Sequence, residues 1–386
     1  KKEWPTLWKF ENDLAKKVGP MSVMKPLKER MDDIDSYYDS ILLESKPIPR
    51  EAIDAVIKEW GRARGMRVRS QARTVDVMKK STNSGSPFFR KRKTVLDKSL
   101  PCRLDRTRDG VTIQQLPNGK TFDACAILGW RGQEGGPKPS DVKQRVVWMF
   151  PFAVNVEELR VYQVLIETAQ KFNLVPAWVS MEAVDAAITR LFDTKDPNDL
   201  IVCTDFSKFD QHFNSDMSEC AKTILGELFT HNSDADYWFD YVFPVKYNIP
   251  LAFDWGKVRV GLHGMGSGSG GTNADETLTH RALQYEAAIS SGSVLNPNSM
   301  CLGDDGILSY PGITVEDVTR IYSSHGQVCN LEKQSASTDD CTYLRRWHHK
   351  DYRQGGICVG VYSTARALGR LANQERYYNP ETWGPK

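Results

Sequence analysis

Hydrophobic residues recur along this chain with two different spacings, and the spacing changes several times. In residues 1–80 apolar positions repeat every three or four residues, for example over residues 51–60, which is typical of helices. Residues 81–139 consist instead of short segments broken by Gly and Pro and interrupted by runs of charge. Such a pattern indicates an irregular surface region.

Helical spacing returns in residues 155–172 and 181–192. At the start of the first of these segments, Asn155 and Glu158 have the spacing of an N-cap and its reciprocal partner. The sequence therefore predicts two helices here, the first of which begins at Asn155.

A strand-rich region follows. Residues 200–205 form the run Leu-Ile-Val-Cys-Thr-Asp, which predicts a short buried strand that ends on a carboxylate. Helices and hairpins are then predicted in this order: a helix over 216–230, a hairpin over 250–262, a helix over 273–290, a hairpin over 300–310, a helix over 315–324 and a strand pair starting at 342–347. This order resembles a split βαβ arrangement, an antiparallel sheet backed by helices, and we predict the α+β class.

Length and composition are those of a globular protein with more than one lobe. The 386 residues exceed what a single core usually carries, and 40% are hydrophobic and 26% charged. No apolar run approaches the roughly 20 residues that span a bilayer, so we expect a soluble chain without a membrane segment. The eight cysteines are widely spaced, which favours free thiols in a reducing compartment. The chain starts at Lys1 without Met, which indicates a fragment.

The net charge of +2 says little about partners, but its distribution is uneven. Residues 60–80 hold seven basic side chains and one acidic one, and residues 88–108 hold eight and two, so each block carries +6. Two basic blocks in one region suit a polyanion, although a solvated basic surface would have the same composition.

Three sequence features, each a weak signal when taken alone, indicate the chemistry. Asp205 ends the predicted strand, and Asp210 follows it. A glycine-rich run over residues 266–273 opens a predicted helix, and Asp304 and Asp305 occupy a predicted hairpin tip. Each feature alone is an ordinary cap, loop or turn. Together they fit phosphoryl transfer, in which catalysis rests on positioning and on neutralisation of charge.

Two Mg²⁺ ions about 3.5–4 Å apart can activate a 3′-hydroxyl and stabilise a leaving pyrophosphate. Such ions need hard oxygen ligands, and neighbouring strands can bring Asp205 and Asp304 together. A glycine-rich loop allows the backbone to approach a nucleic acid closely, with Ser267 and Thr272 as hydroxyl donors.

These segments resemble palm motifs of the viral RNA-dependent RNA polymerases: Asp205-x4-Asp210 motif A, Ser267-Gly268-x3-Thr272 motif B and Gly303-Asp304-Asp305 motif C. Four flanking segments resemble further motifs of that family: Thr82-Asn83-Ser84-Gly85-Ser86-Pro87 a fingers motif that guides the template, Lys138 with Lys143-Gln144-Arg145 motif F, Asn330-Leu331-Glu332-Lys333 motif D, and Leu344-Arg345-Arg346-Trp347 motif E. The resemblance spans about residues 82–347. Motifs A and B are most similar to those of picobirnaviruses, which have double-stranded RNA genomes.

The resemblance implies a right-hand polymerase fold with fingers, palm and a partial thumb, whose antiparallel palm sheet is backed by helices. Residues 1–198 would be an N-terminal helical extension and fingers, and residues 199–350 the palm with motifs A to E. Part of 225–262 would return to the fingers. Residues 351–386 would begin a thumb that is incomplete in this chain.

The resemblance also implies roles for individual residues. Those expected to be catalytic are Asp205, Asp304, Asp305 and Lys333, of which the three aspartates would bind two Mg²⁺ ions, with Mn²⁺ as an alternative. Those expected to bind the nucleotide are Lys138, Lys143, Arg145, Asp210, Ser267, Thr272 and Asn273. Those expected to contact RNA are Thr82, Ser84, Gly85, Ser267, Gly268, Arg345 and Arg346. Motif B often has Asn four residues after its Thr; here that residue is Glu276, and Asn273 is the candidate amide.

The implied activity is template-directed RNA synthesis for viral genome replication and transcription, in the virion interior or the host cytoplasm. The implied partners are RNA template, nascent RNA, nucleoside triphosphates and a capsid protein. A reverse transcriptase is an alternative, but its motif C usually has an aromatic residue where Leu302 lies, and its motif A has an aromatic gate where Asp210 lies. A non-catalytic RNA-binding virion protein that uses the basic blocks is the other alternative.

Overall fold

The computed structural model describes residues 1–376 and 378–385, which contain fifteen α-helices and fourteen β-strands. The helices are α1 (Pro5–Ala15), α2 (Leu27–Asp39), α3 (Arg50–Glu59), α4 (Gln71–Val77), α5 (Leu96–Ser99), α6 (Phe152–Phe172), α7 (Pro176–Val179), α8 (Met181–Thr194), α9 (Ser215–Leu228), α10 (Ser233–Tyr237), α11 (Val245–Asn248), α12 (Thr272–Ser290), α13 (Val315–Ser323), α14 (Thr364–Ala372) and α15 (Pro380–Trp383). The strands are β1 (Arg103–Arg106), β2 (Thr112–Gln115), β3 (Thr121–Asp123), β4 (Ala126–Gln133), β5 (Lys143–Met149), β6 (Ile201–Thr204), β7 (Leu251–Asp254), β8 (Lys257–Arg259), β9 (Met300–Leu302), β10 (Asp305–Leu308), β11 (Ser335–Ser337), β12 (Asp340–Tyr343), β13 (Arg346–His349) and β14 (Val361–Tyr362).

The strands form four sheets. A sheet of order β11-β6-β10-β9 is antiparallel throughout and carries the three predicted catalytic aspartates at or beside its strand ends. A second sheet, of order β5-β4-β7-β8, contains the predicted motif F in β5, and its β7 pairs in parallel with β4. The remaining sheets are β1-β2-β3 and β12-β13-β14, the latter containing motif E. The predicted motifs thus come from three sheets that surround one cleft.

Helix α12 is the central element of the fold. It packs against α3, α9, α13 and strand β9, and fourteen of its nineteen residues are buried. A helix that is buried on all sides belongs to the interior of a large core. Its N-terminus therefore has a fixed position beside the glycine-rich loop, and its flank has a fixed position under β9 and β10.

Most predicted elements are present within one or two residues of their predicted bounds, as in α3, α9, α12 and α13 and in the hairpin β9–β10. The hairpin β7–β8 is also present, but it ends at Arg259, three residues before its predicted end. The expectation of an irregular region over 81–139 was wrong in part, because this segment contains β1 to β4. In β2 the inward residues are Thr112 and Gln114, and Gln114 hydrogen-bonds to backbone carbonyls. Polar inward residues conceal the alternation from which a strand is predicted.

The predicted N-cap at Asn155 was wrong. Helix α6 begins at Phe152 after Pro151, and the Asn155 N–H already donates to the Pro151 carbonyl at 3.2 Å. Asn155 and Glu158 do hydrogen-bond to each other at 3.0 Å, but both are buried and face the glycine-rich loop. The spacing that resembles a capping pair therefore serves a tertiary contact.

Two findings bear on the setting of the molecule. Among residues 1–376 and 378–385, no helix combines the length and the apolar character that a membrane crossing requires. All eight cysteines are free thiols, and six of them are buried.

Candidate active site

Asp205 lies directly after the central strand β6. Residues Ile201 and Val202 of that strand are fully buried, so the strand end has a fixed position. The Asp205 N–H donates to Gln334 Oε1 at 2.7 Å, and Gln334 Nε2 donates to the Asp205 carbonyl at 2.8 Å. One side chain thus holds both backbone groups of the residue. Gln334 was missed by sequence reasoning, because only the β11–β6 pairing brings it there.

Asp304 lies at the tip of the β9–β10 turn, as predicted. In that turn Asp305 pairs with Leu302, and Gly303 has φ +58°, in the left-handed region that favours glycine. The Asp305 carboxylate is directed towards motif E, where its Oδ2 accepts a hydrogen bond from the Leu344 N–H at 2.7 Å. Burial raises the pKa of Asp305 to about 7, and the adjacent Asp304 charge acts in the same direction.

The carboxylates around Asp304 repel one another. Removal from water raises the pKa of Asp304, the negative charge of Asp210 raises it further, and Asp205 adds to the effect, while Arg145 lowers it. Burial also raises the pKa of Asp205, against the nearby positive charge of Lys333. Like charges held together in this way create a site that favours a cation.

Asp210 faces Glu276 of helix α12. Glu276 is only 5% exposed, and its Oε1 has no hydrogen-bond partner among the described residues. Burial raises the pKa of Glu276 well above its usual value, and the charge of Asp210 and a hydrogen bond to it raise it further. A carboxyl group that keeps its proton can donate a hydrogen bond, which a carboxylate cannot.

The glycine-rich loop is pressed against the motif F strand. A Cβ atom on Gly268 would lie 1.5 Å from the Trp148 carbonyl oxygen, so only glycine fits there. Ser267 Oγ donates to the Val146 carbonyl at 3.2 Å, and Thr272 Oγ1 lies 3.3 Å from the Ser269 carbonyl. The loop therefore joins strand β5 to the start of α12.

Buried polar residues support the loop from below. Glu158 accepts hydrogen bonds from Ser269 Oγ and from the Gly270 N–H, and Asn155 Nδ2 donates to the Gly268 carbonyl at 3.3 Å. These contacts explain why α6 buries the polar side chains of Asn155 and Glu158 in its first turns. Sequence reasoning found the pair but assigned it to a cap.

A buried ion pair lies beside the same loop. Lys246 and Asp275 are both fully buried, with Nζ 3.1 Å from Oδ2. Tyr162 and Tyr247 each donate to the Asp275 carboxylate at 2.7 Å, so the acid has three polar partners. Removing one member of such a pair leaves an uncompensated buried charge. Nothing in the spacing of these four residues marks them as partners, and sequence reasoning missed them.

A cavity of about 830 Å³ lies between the basic side chains of β5 and the carboxylates, and its lining includes Lys143, Arg145, Asp205, Asp210, Ser267 and Asp304. We call the side with Lys143 and Arg145 the fingers wall and the side with the three aspartates the palm wall. Arg145 is exposed, and its Nε donates to Gln133 Oε1 at 2.9 Å. Two cationic side chains thus face three carboxylates across a space large enough for a nucleotide.

An adjoining cavity of about 750 Å³ opens from the same aspartates towards motif E and helix α1. Its lining includes Asp304, Asp305, Arg345 and Lys17. Lys333 lies in a short 3₁₀ turn, Leu331–Lys333, close enough for its charge to lower the pKa of Asp205. Lys17 acts on Asp205 in the same direction and was not anticipated from the sequence.

Two predicted nucleotide or RNA contacts have other partners, and a third lies outside the large cavity. Lys138 is not among the residues that line this cavity, and its backbone N–H donates to Asp141 Oδ2 at 2.9 Å. Asn273 Oδ1 accepts from Trp178 Nε1 at 2.8 Å. Arg346 forms a two-bond ion pair with Asp185, at 2.8 and 2.9 Å, which occupies its guanidinium.

The predicted template motif lies at the start of α6. The Ser84 carbonyl accepts from the Phe152 N–H at 2.8 Å, and the Thr82 carbonyl accepts from the Arg92 N–H at 2.9 Å. Gly85 has φ +61°, and a Cβ atom on it would lie 2.6 Å from the Phe150 carbonyl oxygen. The motif is thus packed against the loop that leads from β5 into α6.

The basic blocks are used in part within the protein. Arg103 and Arg106 stack over Tyr237 and Tyr241, at 3.9 and 4.6 Å from the ring centroids, and Arg69 pairs with Glu167. The net charge of these blocks therefore overstates the charge that is free to meet an RNA.

The donor set of the site fits divalent metal ions only in combination with a substrate. In residues 1–376 and 378–385, no three His, Cys, Asp or Glu side chains converge closely enough to hold a metal ion alone. Mg²⁺ characteristically takes one or two carboxylates and completes its shell with phosphate oxygens and water. Asp205 and Asp304, which line the same cavity, meet that requirement.

Carboxylates and basic side chains around one cavity fit phosphoryl transfer, and comparison with known proteins identifies the class. Residues 67–357 match the family model of viral RNA-dependent RNA polymerases. The chain belongs to this family and is an RNA-directed RNA polymerase.

The particular relatives are polymerases of picobirnaviruses. A potential RNA-dependent RNA polymerase of a human picobirnavirus (strain Human/Thailand/Hy005102/-) is 65% identical over 384 residues, which cover all of this chain and 71% of the relative. The crystal structure of a human picobirnavirus RNA-dependent RNA polymerase is 64% identical, with a TM-score of 0.97 over 100% of this chain and 73% of that one. An insertion-loop deletion mutant gives 64% identity and a TM-score of 0.96, over 99% of this chain and 75% of that one.

A more distant structure shares the fold alone. The RNA-dependent RNA polymerase 3Dpol of a sicinivirus is 13% identical, with a TM-score of 0.64 over 92% of this chain and 81% of that one. The predicted α+β polymerase fold and the predicted family are thereby confirmed. The division into fingers, palm and partial thumb stays a prediction.

Proposed function

We propose that this chain carries out template-directed transfer of ribonucleotides to an RNA 3′-hydroxyl by a two-metal mechanism, in viral genome replication and transcription. The observation that supports this best is the cavity of about 830 Å³, in which Asp205, Asp210 and Asp304 face Lys143 and Arg145. Phosphoryl transfer is catalysed mainly by positioning and by neutralisation of charge. This cavity offers both signs of charge on opposite walls.

The palm wall would hold the RNA 3′-hydroxyl and the phosphate that reacts with it. Asp205 and Asp304 would bind two Mg²⁺ ions, or Mn²⁺. Asp305, whose carboxylate accepts a hydrogen bond from the Leu344 N–H, would assist them in binding metal. The metal ions, when bound, favour the alkoxide form of the 3′-hydroxyl and neutralise the leaving pyrophosphate. Lys333, whose charge already acts on Asp205, supplies a proton to that pyrophosphate.

The fingers wall and the motif B loop would hold the nucleotide. Lys143 and Arg145 contact the triphosphate, and Lys138 is proposed for the same role on the family resemblance. Asp210 accepts a hydrogen bond from the ribose. The other residues proposed to contact the sugar or its base pair are Ser267, Thr272 and Asn273.

The RNA path would follow the remaining motifs. The residues proposed for it are Thr82, Ser84, Gly85, Ser267, Gly268, Arg345 and Arg346. Arg345 lines the cavity next to Asp304, whereas Arg346 would first have to leave Asp185. A capsid protein as partner, and action in the virion interior or host cytoplasm, are proposed on the family resemblance alone.

Primer extension on an RNA template, with ribonucleotides or deoxyribonucleotides and with or without EDTA, tests the proposal. We expect extension with ribonucleotides that stops when EDTA removes divalent metal. Preferential use of deoxyribonucleotides would support the reverse transcriptase instead. Metal-dependent RNA binding without any synthesis would support the non-catalytic virion protein.

A further inference from the structure

Two side chains of helix α12 reach the residue that precedes Asp304. The Gly303 N–H donates to Thr277 Oγ1 at 2.9 Å. His280 Nδ1 lies 2.8 Å from the Gly303 carbonyl oxygen, and because a carbonyl can only accept, the ring donates. Both backbone polar groups of Gly303 are therefore bound by side chains three residues apart on one buried helix.

The position of these bonds matters because the turn is short. Leu302 pairs directly with Asp305, so Gly303 and Asp304 alone make the connection between β9 and β10. The Gly303 carbonyl belongs to the peptide group that leads into Asp304. A bond that fixes the plane of this peptide fixes the positions of the Asp304 N and Cα atoms, from which its carboxylate extends.

The imidazole ring of His280 is enclosed so that its hydrogen bond is made to the Gly303 carbonyl. His280 is fully buried, and its Nε2 has no partner among the described residues. A Cβ atom on Gly306 would lie 2.6 Å from the ring, so β10 leaves just enough room for it. An unpaired buried nitrogen costs stability, and the single polar contact of the ring is the one to Gly303.

Thr277 is equally enclosed, with 2% of its surface exposed. The neighbouring Thr279 is also buried, but its hydroxyl donates to the Met217 carbonyl at 3.2 Å, on the side of α9. The same helix therefore carries one threonine bound to the catalytic turn and one bound to the core, which provides a matched control.

We propose that Thr277 and His280 are positioning residues that hold the Gly303 peptide groups and so set the direction of the Asp304 carboxylate. This proposal rests on the proposed role of Asp304 in the polymerase reaction. Misplacement of a reacting group by about 1 Å can cost up to about 100-fold in rate. Neither residue touches the substrate, so the loss should fall on the rate and leave nucleotide binding unchanged.

The test compares Thr277→Val, Thr277→Ser and Thr279→Val in single-nucleotide extension, with melting temperature measured in parallel. Valine keeps the shape of threonine and removes the acceptor of the Gly303 N–H. We expect Thr277→Val to lower kcat by about tenfold with KM for the nucleotide nearly unchanged, on the scale of a small misplacement. Thr277→Ser should recover most of kcat. Thr279→Val should lower the melting temperature similarly but keep kcat.

His280→Asn and His280→Leu give an independent pair in case Thr277→Val does not fold. The Asn amide can still donate to the Gly303 carbonyl and the Leu side chain cannot, so we expect kcat to be higher in the Asn variant. Equal kcat in this pair, or equal kcat in Thr277→Val and Thr279→Val, would overturn the inference. If Asp304→Ala kept normal activity, the proposed function itself would fail, which separates the two failures.

Discussion

The two walls of the large cavity hold their charges in different ways. On the palm side, Gln334 binds both backbone groups of Asp205, and α12 binds both backbone groups of Gly303 beside Asp304. On the fingers side, Arg145 is exposed and has one neutral hydrogen bond, to Gln133. The palm thus fixes its charges through the backbone, whereas the fingers carry theirs on long side chains.

This difference suits the two tasks. Carboxylates that bind metal ions must keep their geometry before the substrate arrives, and fixed groups need no reorganisation during the reaction. Side chains that receive a triphosphate must meet a ligand that enters and leaves as pyrophosphate. A change on the palm wall should therefore affect the rate of the chemical step, and a change on the fingers wall should affect nucleotide binding.

The strongest test of the palm wall is Asp304→Ala. Because Asp304 is proposed to bind metal at the reacting centre, extension should fall by at least about 10³-fold, the scale of lost electrostatic catalysis. RNA binding, measured by fluorescence anisotropy, should survive. The control is Asp254→Ala, which removes an exposed aspartate at the end of β7 in the other hairpin. Near-normal incorporation by Asp304→Ala would contradict the metal role.

The contrast between the walls also explains what the sequence could predict. Asp205, Asp304 and Arg145 belong to short segments in which residue type and local spacing carry the signal, and these residues line one cavity as expected. Helix α12 was predicted because it follows a glycine-rich run, which is a local signal as well. The fold and the placement of these three residues around one cavity were therefore accessible from sequence, whereas their roles stay predictions.

The supporting residues were not accessible, because their signal is not local. Gln334 reaches Asp205 across 129 positions, and Lys246 reaches Asp275 only once α11 and α12 are packed. Asn155 and Glu158 show how a local rule fails, since their spacing fits a cap but their partners lie more than a hundred residues away. A buried polar residue has its meaning only in the tertiary contact that satisfies it.

The second prediction concerns sugar selection at the edge of the palm wall. Asp210 could have had a structural role, either as the ion-pair partner of Lys208 or as the cap of α9. Lys208 pairs with Asp33 instead, and Asn214 caps α9. The Asp210 carboxylate has a second oxygen, beyond the hydrogen bond to Glu276, that can accept a hydrogen bond from a ribose 2′-hydroxyl. A site built around such a bond disfavours a substrate that lacks it. Asp210→Ala should lower kcat/KM for ATP about tenfold more than for dATP.

The measurement is kcat/KM for ATP and dATP on one RNA template, in the native protein and in the variant. Asp210→Asn keeps one acceptor oxygen and should fall between the two. An unchanged ratio in Asp210→Ala would make the residue structural. A native protein that prefers dATP would contradict the assignment of the sugar site altogether.

The smallest expected effect lies on the fingers wall, at Arg145→Lys. A guanidinium can bind a phosphate through two parallel hydrogen bonds, and an ammonium group of the same charge cannot reproduce that geometry. Because Arg145 lies on the exposed wall with one neutral partner, the change should leave the fold intact. It should raise KM for the nucleotide several-fold while kcat changes less, as expected when binding common to ground and transition states is lost.

Steady-state extension at varied ATP measures both constants, with Arg50→Lys, an exposed arginine paired with Asp54, as the control. If kcat fell and KM held, Arg145 would act on the transition state as the palm residues do, and the contrast between the two walls would not hold. If RNA affinity collapsed while KM held, Arg145 would belong to the template path.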